Sequence, residues 1–304
     1  MKTLLVTLFA SLLLVESTEL KEINRTGDPV SNDKIQVILR LDDIGFCHSV
    51  NMACKKLAEA GIPYSTSLMT PCPWYLEAVD VLKEYPEISV GVHLTLNSEW
   101  KNYKWGPVLG QESVPSLVNE KGHFFHNEAS FFENKPNISE VEKEFRAQID
   151  RALSEGITVD YLDAHMYVAN YTRELREVVV KLANEYELGI SSCFGEEELS
   201  TYTVPFEQKK DAAIATLSEL EPGKTYLYVI HVGLDTPEMS VLEQTGENVL
   251  KDMSKHRTAQ LNMLLSDEFK EIVEEKNIEL ITYREYIEQN GLESMNIQDF
   301  LLNR

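Results

Sequence analysis

The sequence predicts an α/β protein in which helices surround a closed or nearly closed barrel of about seven parallel strands. Short apolar runs rich in β-branched and aromatic residues recur along the 304 residues, with helical patterns between them. Strand followed by helix, repeated in this way, is typical of a parallel sheet covered by helices. No polar linker divides the chain, and about seven strands in one domain favour a barrel over an open sheet.

The first segment is a leader typical of exported proteins. Lys2 precedes an apolar run at residues 4–15, and a polar stretch with small residues suited to cleavage follows. The run is too short to span a membrane. The cleavage site contains no cysteine, so a lipid anchor is not indicated. We therefore predict a signal peptide at residues 1–17, a single domain at residues 18–304, and export to the periplasm or the medium.

The body of the chain alternates between the two kinds of element. The strand candidates are residues 35–41, 65–70, 88–96, 159–163, 189–193, 226–231 and 278–282. The helix candidates are residues 49–60, 75–84, 138–155, 172–186 and 257–276. Residues 97–134, after the third strand, interrupt this rhythm and are rich in aromatic residues. Loops of that length usually serve binding, so we expect this one to lie beside the site.

The acidic composition limits the classes of partner. The formal net charge is −22, and such a surface repels phosphate backbones and anionic lipid headgroups. We expect no nucleic-acid partner and no membrane anchor. The charge is compatible with a neutral sugar substrate and a cationic amino-sugar product, or simply with the solubility of an exported protein. Disulfide pairing of the four cysteines, glycosylation of the N-x-S/T triplets, and the choice between monomer and homodimer stay open.

Three polar clusters stand at or near the ends of predicted strands: Asp42 with Asp43, then His93, then Asp163 with His165. The carboxyl ends of barrel strands converge on one rim, where active sites lie. Adjacent carboxylates are costly without a positive charge beside them, so a divalent cation is expected. One Asp and two His leave open positions for water, and the second carboxylate could then accept the water's proton.

Each of these residues also has a plainer interpretation. The Asp pair could lead into the following helix, and His93 could be a buried core histidine. His231 ends another predicted strand and suits a general acid that protonates a leaving amine, although a structural role fits almost equally well. Trp100 and Trp105 could stack on sugar rings beside the metal, or could pack the long loop onto the barrel.

Several motifs occur in a defined order: Leu41-Asp42-Asp43-Ile44-Gly45, Asn51 with Ala53, Pro71-Cys72-Pro73-Trp74, Gly91-Val92-His93-Leu94-Thr95-Leu96, Trp105-Gly106-Pro107 and Asp163-Ala164-His165-Met166. In these motifs the sequence resembles the YdjC-like carbohydrate deacetylase family, which includes chitooligosaccharide deacetylases and is distantly similar to NodB-type polysaccharide deacetylases. The resemblance extends over residues 35–283.

The resemblance implies a distorted (β/α) barrel with one divalent metal ion, zinc or magnesium, held by Asp43, His93 and His165. It implies that Asp42 is the catalytic base and His231 the candidate acid. The chain departs from the family near Arg257: the family usually has an acidic residue shortly after the corresponding arginine, whereas Gln260 stands nearby here.

We therefore predict a metal-dependent hydrolase that removes N-acetyl groups from amino sugars or chitin-type oligosaccharides. Asn51, Trp100 and Trp105 are the predicted substrate-binding residues. Two alternatives are a metal-dependent carbohydrate O-acetyl esterase and a non-catalytic carbohydrate-binding barrel.

Overall fold

The structure is a computed structural model that describes residues 34–246 and 249–302. In this part of the chain, eight strands form one curved sheet, and every pair of neighbouring strands is parallel. The strands are β1 (Ile35–Ile44), β2 (Ser65–Leu68), β3 (Ser89–Leu94), β4 (Tyr161–Ala164), β5 (Gly189–Ile190), β6 (Glu197–Ser200), β7 (Thr225–Ile230) and β8 (Ile278–Ile281). The predicted signal peptide lies outside the described residues.

The strand order is β5-β4-β3-β2-β1-β7-β6, and β8 also pairs with β1. Strand β1 is therefore central: β8 pairs with its first half, β2 with its second half, and β7 along most of its length. The order ends at β5 and β6, which are not paired with each other in the described ranges. The predicted distorted (β/α) barrel is thus confirmed, with a gap in its wall between β5 and β6.

The helices are α1 (His48–Glu59), α2 (Tyr75–Glu84), α3 (Glu128–Glu133), α4 (Ile138–Ser154), α5 (Arg173–Tyr186), α6 (Lys209–Ser218), α7 (Pro237–Ser240), α8 (Met253–Leu265), α9 (Asp267–Glu275), α10 (Tyr283–Asn290) and α11 (Ile297–Leu302). The single helix predicted at residues 257–276 is wrong, because two helices meet at Ser266, whose side chain accepts a hydrogen bond from Phe269 N and caps α9. No helix in the described ranges is long and apolar enough to cross a membrane.

Alternate residues of β1 face two apolar clusters, as the two-residue period of a strand requires. Leu39 and Leu41 belong to the larger cluster, which also contains helix side chains, whereas Ile38 belongs to a smaller cluster with Tyr161 and Tyr283. Burial on both faces explains why the strand candidates are apolar runs. All four cysteines are buried free thiols, so no disulfide stabilises this part of the fold.

Candidate metal centre

The three predicted metal ligands meet at the carboxyl end of the sheet. Asp43 lies in β1, His93 in β3, and His165 directly follows β4. Asp43 Oδ1 is 3.4 Å from His93 Nε2 and 3.2 Å from His165 Nδ1. One donor atom from each residue therefore faces a common point, and all three side chains are buried.

The hydrogen bonding of Asp43 tests whether these residues fit a cation. Its Oδ1 atom is buried and has no hydrogen-bond partner in the described structure, although two imidazole nitrogens lie close to it. An unsatisfied buried carboxylate oxygen is costly, and a cation at this point would satisfy it. One carboxylate and two imidazoles form a three-ligand set that suits a divalent metal with open positions. The residues present therefore fit the implied ion.

An irregularity in β1 brings both aspartates to this site. In a regular strand, Asp42 and Asp43 would point to opposite faces of the sheet. The pairing of β1 with β2 shifts by one residue between Leu41 and Ile44, and Asp43 has a φ angle of 76°. Such a bulge re-aims a side chain at the end of a strand. A positive φ at a residue with a Cβ costs about 1 kcal/mol or more, a strain that is concentrated at functional sites.

A carboxylate holds the second nitrogen of each ligand histidine. His93 Nδ1 lies 2.9 Å from Asp163 Oδ2, and His165 Nε2 lies 3.1 Å from Glu99 Oε2. These contacts fix the ring orientations and leave His93 Nε2 and His165 Nδ1 facing Asp43. The same arrangement of carboxylate, histidine and metal is common around protein-bound zinc.

The electrostatics of this cluster favour positive charge. Burial alone would lower the pKa of His93, but Asp163 and Asp42 raise it to about 10. Burial would also lower the pKa of His165, but Glu99 and Asp43 raise it to about 9. The carboxylates therefore outweigh the desolvation of both rings. A divalent cation would be attracted by the same carboxylates.

Each of the two adjacent aspartates forms an ion pair with its own arginine. Arg257 Nη2 lies 2.5 Å from Asp43 Oδ2. Burial favours the protonated form of Asp43, yet Arg257 and the two histidines hold the pKa of this carboxyl well below its usual value. Asp43 is therefore an anion at neutral pH, with one oxygen held by the guanidinium and the other facing the histidines.

Arg40 makes a two-point contact with the predicted base. Its Nε and Nη2 donate to the two oxygens of Asp42, at 2.7 and 2.8 Å, and its Nη1 donates to Ser191 Oγ. Burial opposes ionisation of Asp42, but the charge of Arg40 prevails and lowers the pKa of the carboxyl. Arg40 Nε also lies 3.3 Å from Asp163. Asp42, His93 and Asp163 form a second potential ligand group, but this guanidinium already neutralises its carboxylates.

His231 is placed differently from the two ligand histidines. It follows β7 and is half-buried, and its ring centroid lies 5.1 Å from that of Tyr202. Its Nδ1 is buried with no partner in the described structure, while its main-chain N–H donates to Gln260 Oε1. Burial lowers the pKa of His231 to about 4, so the ring is neutral near pH 7. A role as general acid therefore requires that it first take up a proton, and it stays a prediction.

The predicted substrate ligand Asn51 has its amide committed to the protein. Its Oδ1 accepts a hydrogen bond from Gly45 N, and its Nδ2 donates to Trp74 O and to Glu77 Oε2. These bonds hold the turn between β1 and α1. The geometry therefore gives Asn51 a role in positioning the strand end, and its predicted contact with substrate gains no support.

The two predicted sugar-stacking indoles are both in the interior. Trp100 is 1% exposed and stacks on Phe46 with 5.2 Å between ring centroids. Trp105 is 3% exposed, donates from Nε1 to Asn97 O, and has its ring centroid 6.2 Å from that of His165. Trp100 therefore packs the long loop onto the barrel. Only Trp105 lies beside a proposed ligand, and its contact with substrate stays a prediction.

Sequence reasoning assigns no role to four charged residues of the site: Arg40, Glu99, Asp163 and Arg257. Arg40 and Asp42 are two positions apart in one strand, so the sequence placed them on the same face. Asp163 lay within a quoted motif, but its role beside His93 was not assigned. Glu99 lies in the irregular loop after β3, where no periodicity indicates a direction.

The chain is similar to a protein family over most of its length. Residues 36–275 match the family model described as YdjC-like protein. A carbohydrate deacetylase from Enterococcus faecalis is 30% identical over 268 residues, which cover 84% of this chain and 98% of that protein. A carbohydrate deacetylase from Brevibacillus brevis is 27% identical over 263 residues, covering 83% of this chain and 99% of its own length.

A solved structure agrees with this similarity. A protein from Enterococcus faecalis V583, described as a candidate cellobiose-phosphate cleavage protein, matches with a TM-score of 0.67 and 27% sequence identity. The match covers 83% of this chain and 98% of the other. Sequence and fold are therefore shared over nearly the whole length of the relatives.

Proposed function

The chain belongs to the YdjC-like protein family, and on this premise we propose that it is a carbohydrate deacetylase that uses one divalent metal ion to hydrolyse N-acetyl groups. Its curated relatives over the same length are named carbohydrate deacetylases. The observation that carries the metal dependence is the buried, unpartnered Oδ1 of Asp43, which faces one nitrogen of His93 and one of His165. Two imidazoles favour zinc over magnesium.

When bound, such an ion would make a water molecule more acidic and would polarise the acetyl carbonyl. Asp43, His93 and His165 would hold it. Asp163 and Glu99 keep the two rings in the orientation that presents one nitrogen each. Because these side chains are fixed before substrate arrives, little reorganisation is needed during the reaction.

Asp42 is the proposed base. Arg40 keeps it ionised and fixes its orientation, and each carboxylate oxygen retains a second lone pair that can accept a proton from the attacking water. The water oxygen then adds to the acetyl carbon and the carbon–nitrogen bond breaks. Acetate and a free amine are the products.

The leaving nitrogen needs a proton, and His231 is the proposed donor. Its neutral resting state means that it must first accept a proton. The carboxylates of Asp42 and Asp43 act on it in the direction that raises its pKa, which favours that uptake. An amine is a poorer leaving group than an alcohol, so this proton matters more for an N-acetyl than for an O-acetyl substrate.

The test combines metal content with substrate choice. Purified full-length protein should contain close to one divalent ion per chain and release acetate from N-acetylated chito-oligosaccharides. Chelation should abolish the release, and adding back zinc or magnesium should restore it. Faster acetate release from O-acetylated xylo-oligosaccharides would favour the esterase alternative. Full activity in protein stripped of metal would contradict the mechanism.

We also propose that the chain is exported, on the basis of the apolar leader alone. Mature protein from the native host should begin near Thr18 and be found outside the cytoplasm. Mass spectrometry of the native protein decides this, because an intact Met1 would contradict cleavage.

A further inference from the structure

A cavity of about 750 Å³ lies at the gap in the barrel wall, beside the proposed metal centre. Ser191 and Ser192, which follow β5, line one side, and Glu198 of β6 lines another. None of the three proposed metal ligands lines it. It nevertheless adjoins the site, because Met166, the residue after His165, lies in its wall. Its volume lies within the range of small-molecule sites.

The loop after β4 presents an exposed aromatic ring to this cavity. Tyr167 is 57% exposed and donates a hydrogen bond from its hydroxyl to Glu198 Oε1 at 2.8 Å. Met166 and Tyr167 have φ angles of 49° and 59°, so two successive residues with side chains adopt the left-handed conformation. Such strain persists where the surrounding structure imposes it, and it is concentrated at binding sites.

The end of the chain forms the facing wall. Asn296, Asp299 and Phe300, in or next to α11, line the cavity. The family match ends at residue 275, so this wall lies beyond the matched region. Asn296 N donates to Cys193 O at 2.6 Å, which ties the terminal segment to the chain after β5.

Arg176 also binds the terminal segment that forms this wall of the cavity. This arginine is 8% exposed, and its Nη1 and Nη2 donate to Asn170 O and Leu301 O. Its Nε, like the side-chain oxygen of Asn170, is buried without a partner in the described structure. Both terminal nitrogens are bound to carbonyl groups, which holds the guanidinium and the terminal segment in place.

The remaining charged groups of the lining are carboxylates. Glu128, Glu198 and Asp299 contribute three negative charges, against the single buried guanidinium of Arg176. A phosphate on a sugar placed here would meet like charge and lose hydration. Hydroxyl groups and a protonated amine would instead find acceptors.

We propose that this cavity binds the sugar unit next to the one that is deacetylated, and that it selects an uncharged or amine-bearing hexosamine over a phosphorylated one. The inference rests on the proposed deacetylase function. The aromatic faces of Tyr167 and Phe300 would pack on the C–H face of the ring, and Glu198 and Asp299 would accept hydrogen bonds from it. The terminal segment would therefore be a determinant of specificity.

The first test compares sugars of one and two units. For Phe300→Ala, we expect KM for di-N-acetylchitobiose to rise about tenfold relative to KM for N-acetylglucosamine, which corresponds to roughly 1.4 kcal/mol of lost binding. The matched control is Leu302→Ala on the same helix, because Leu302 is 68% exposed and does not line the cavity. If Phe300→Ala lowers Tm, Tyr167→Ala takes its place. An unchanged ratio of KM values in a folded variant would overturn the inference.

The second test does not depend on turnover. Calorimetric titration of the wild-type protein with chitobiose, the diamine, should show binding that Phe300→Ala weakens and Leu302→Ala does not. If no sugar releases acetate but this pattern of binding is found, the proposed function fails and the cavity inference stands. If the wild-type protein does not bind chitobiose, the inference fails whatever the activity.

The third test addresses charge. Wild-type protein should prefer di-N-acetylchitobiose over its 6-phosphate by about tenfold in kcat/KM, and the double variant Glu198→Gln, Asp299→Asn should narrow that preference severalfold. A wild-type preference for the phosphorylated sugar, or a preference that the double variant leaves unchanged, would overturn the proposed selectivity.

Discussion

The histidines at the ends of β3 and β4 differ from the one at the end of β7 in what holds their rings. His93 and His165 each contact a carboxylate through one nitrogen and face Asp43 with the other. His231 has a buried Nδ1 without a partner in the part of the chain that the structure describes, and only its main chain is hydrogen-bonded to a neighbouring helix.

This difference separates two kinds of chemistry. A ring fixed at both nitrogens presents one lone pair in one direction, as a metal ligand must. A ring with a free nitrogen and a lowered pKa can gain and lose a proton, as a general acid or base must. On the proposed mechanism, His93 and His165 would therefore bind the metal ion, and His231 at the end of β7 would donate a proton to the leaving nitrogen.

The largest expected effects come from the two adjacent aspartates. Asp43→Asn should lose most of the bound metal, because it removes the charge from one of three ligands. Asp42→Asn should keep the metal and lose about 10³-fold in kcat, because an amide cannot accept the water's proton. Metal content by mass spectrometry and kcat should be measured for both variants. Equal metal content and equal kcat in the two would contradict the division of roles.

The next effect tests the other side of the comparison. His231→Gln should lower kcat about 100-fold, the loss typical of a missing general acid, with metal content and Tm unchanged. Loss of metal in this variant would place His231 among the ligands and remove the contrast.

The substitution Gln260→Glu tests the acid role of His231 through the pH dependence of kcat. A carboxylate beside His231 favours the charged ring and so raises its pKa from about 4, which increases the protonated fraction at pH 7. If His231 donates a proton, the alkaline limb of the kcat profile should move to higher pH. A glutamate can still accept from His231 N, and the Thr201 hydroxyl, which accepts from Gln260 Nε2, can donate to the carboxylate instead. An unmoved limb would argue against the acid role.

A smaller effect is expected from the carboxylates behind the ligand histidines. Asp163→Asn and Glu99→Gln should each weaken metal affinity by about tenfold or more, since such outer partners typically contribute 10- to 100-fold. Competition with a chelator measures this affinity. Glu243→Gln is the matched control, because Glu243 is a surface residue whose side chain, among the described residues, is paired only with Lys101. Metal affinities equal to that of the control would show that the contacts of Asp163 and Glu99 with the histidine rings do not contribute to metal binding.

The smallest kinetic effect concerns the buried indoles. Trp105→Ala should raise KM for an oligosaccharide about threefold, because Trp105 lies next to His165. Trp100→Ala should instead lower the free energy of unfolding by roughly 3–5 kcal/mol without a selective change in KM, because this ring is stacked in the core. Tm and KM should be measured together. If KM changes in both variants only to the extent that Tm falls, Trp105 does not contact the substrate.

Regular alternation made much of the fold predictable. Seven strand candidates correspond to strands of the structure because two-sided burial makes such strands apolar. The missed strand, β6, contains Glu197 and Glu198 and is mostly exposed, so it carries no apolar run. Charged residues on an edge strand discourage pairing with other chains, and the same residues hide the strand from a hydrophobic pattern.

The ligand set was predictable for a different reason. Parallel strands bring their carboxyl ends to one rim, so residues distant in sequence could be placed together. The bulge at Asp43 could not be predicted, because nothing in an Asp-Asp pair indicates a positive φ. The partners of the ligands were also missed, because Glu99 and Arg257 reach the site from a loop and a helix whose orientation depends on packing.

The position of β1 has a consequence for how the chain folds. This strand comes first in the described sequence, yet it pairs with β7 and β8, which begin only at Thr225 and Ile278. Loop closure over such separations is slow, so the central pairings cannot form until most of the polypeptide is present. A nascent chain would therefore stay without its core through most of its synthesis. For a protein that we propose is exported, that delay would keep the chain loose enough to be threaded across a membrane before it folds.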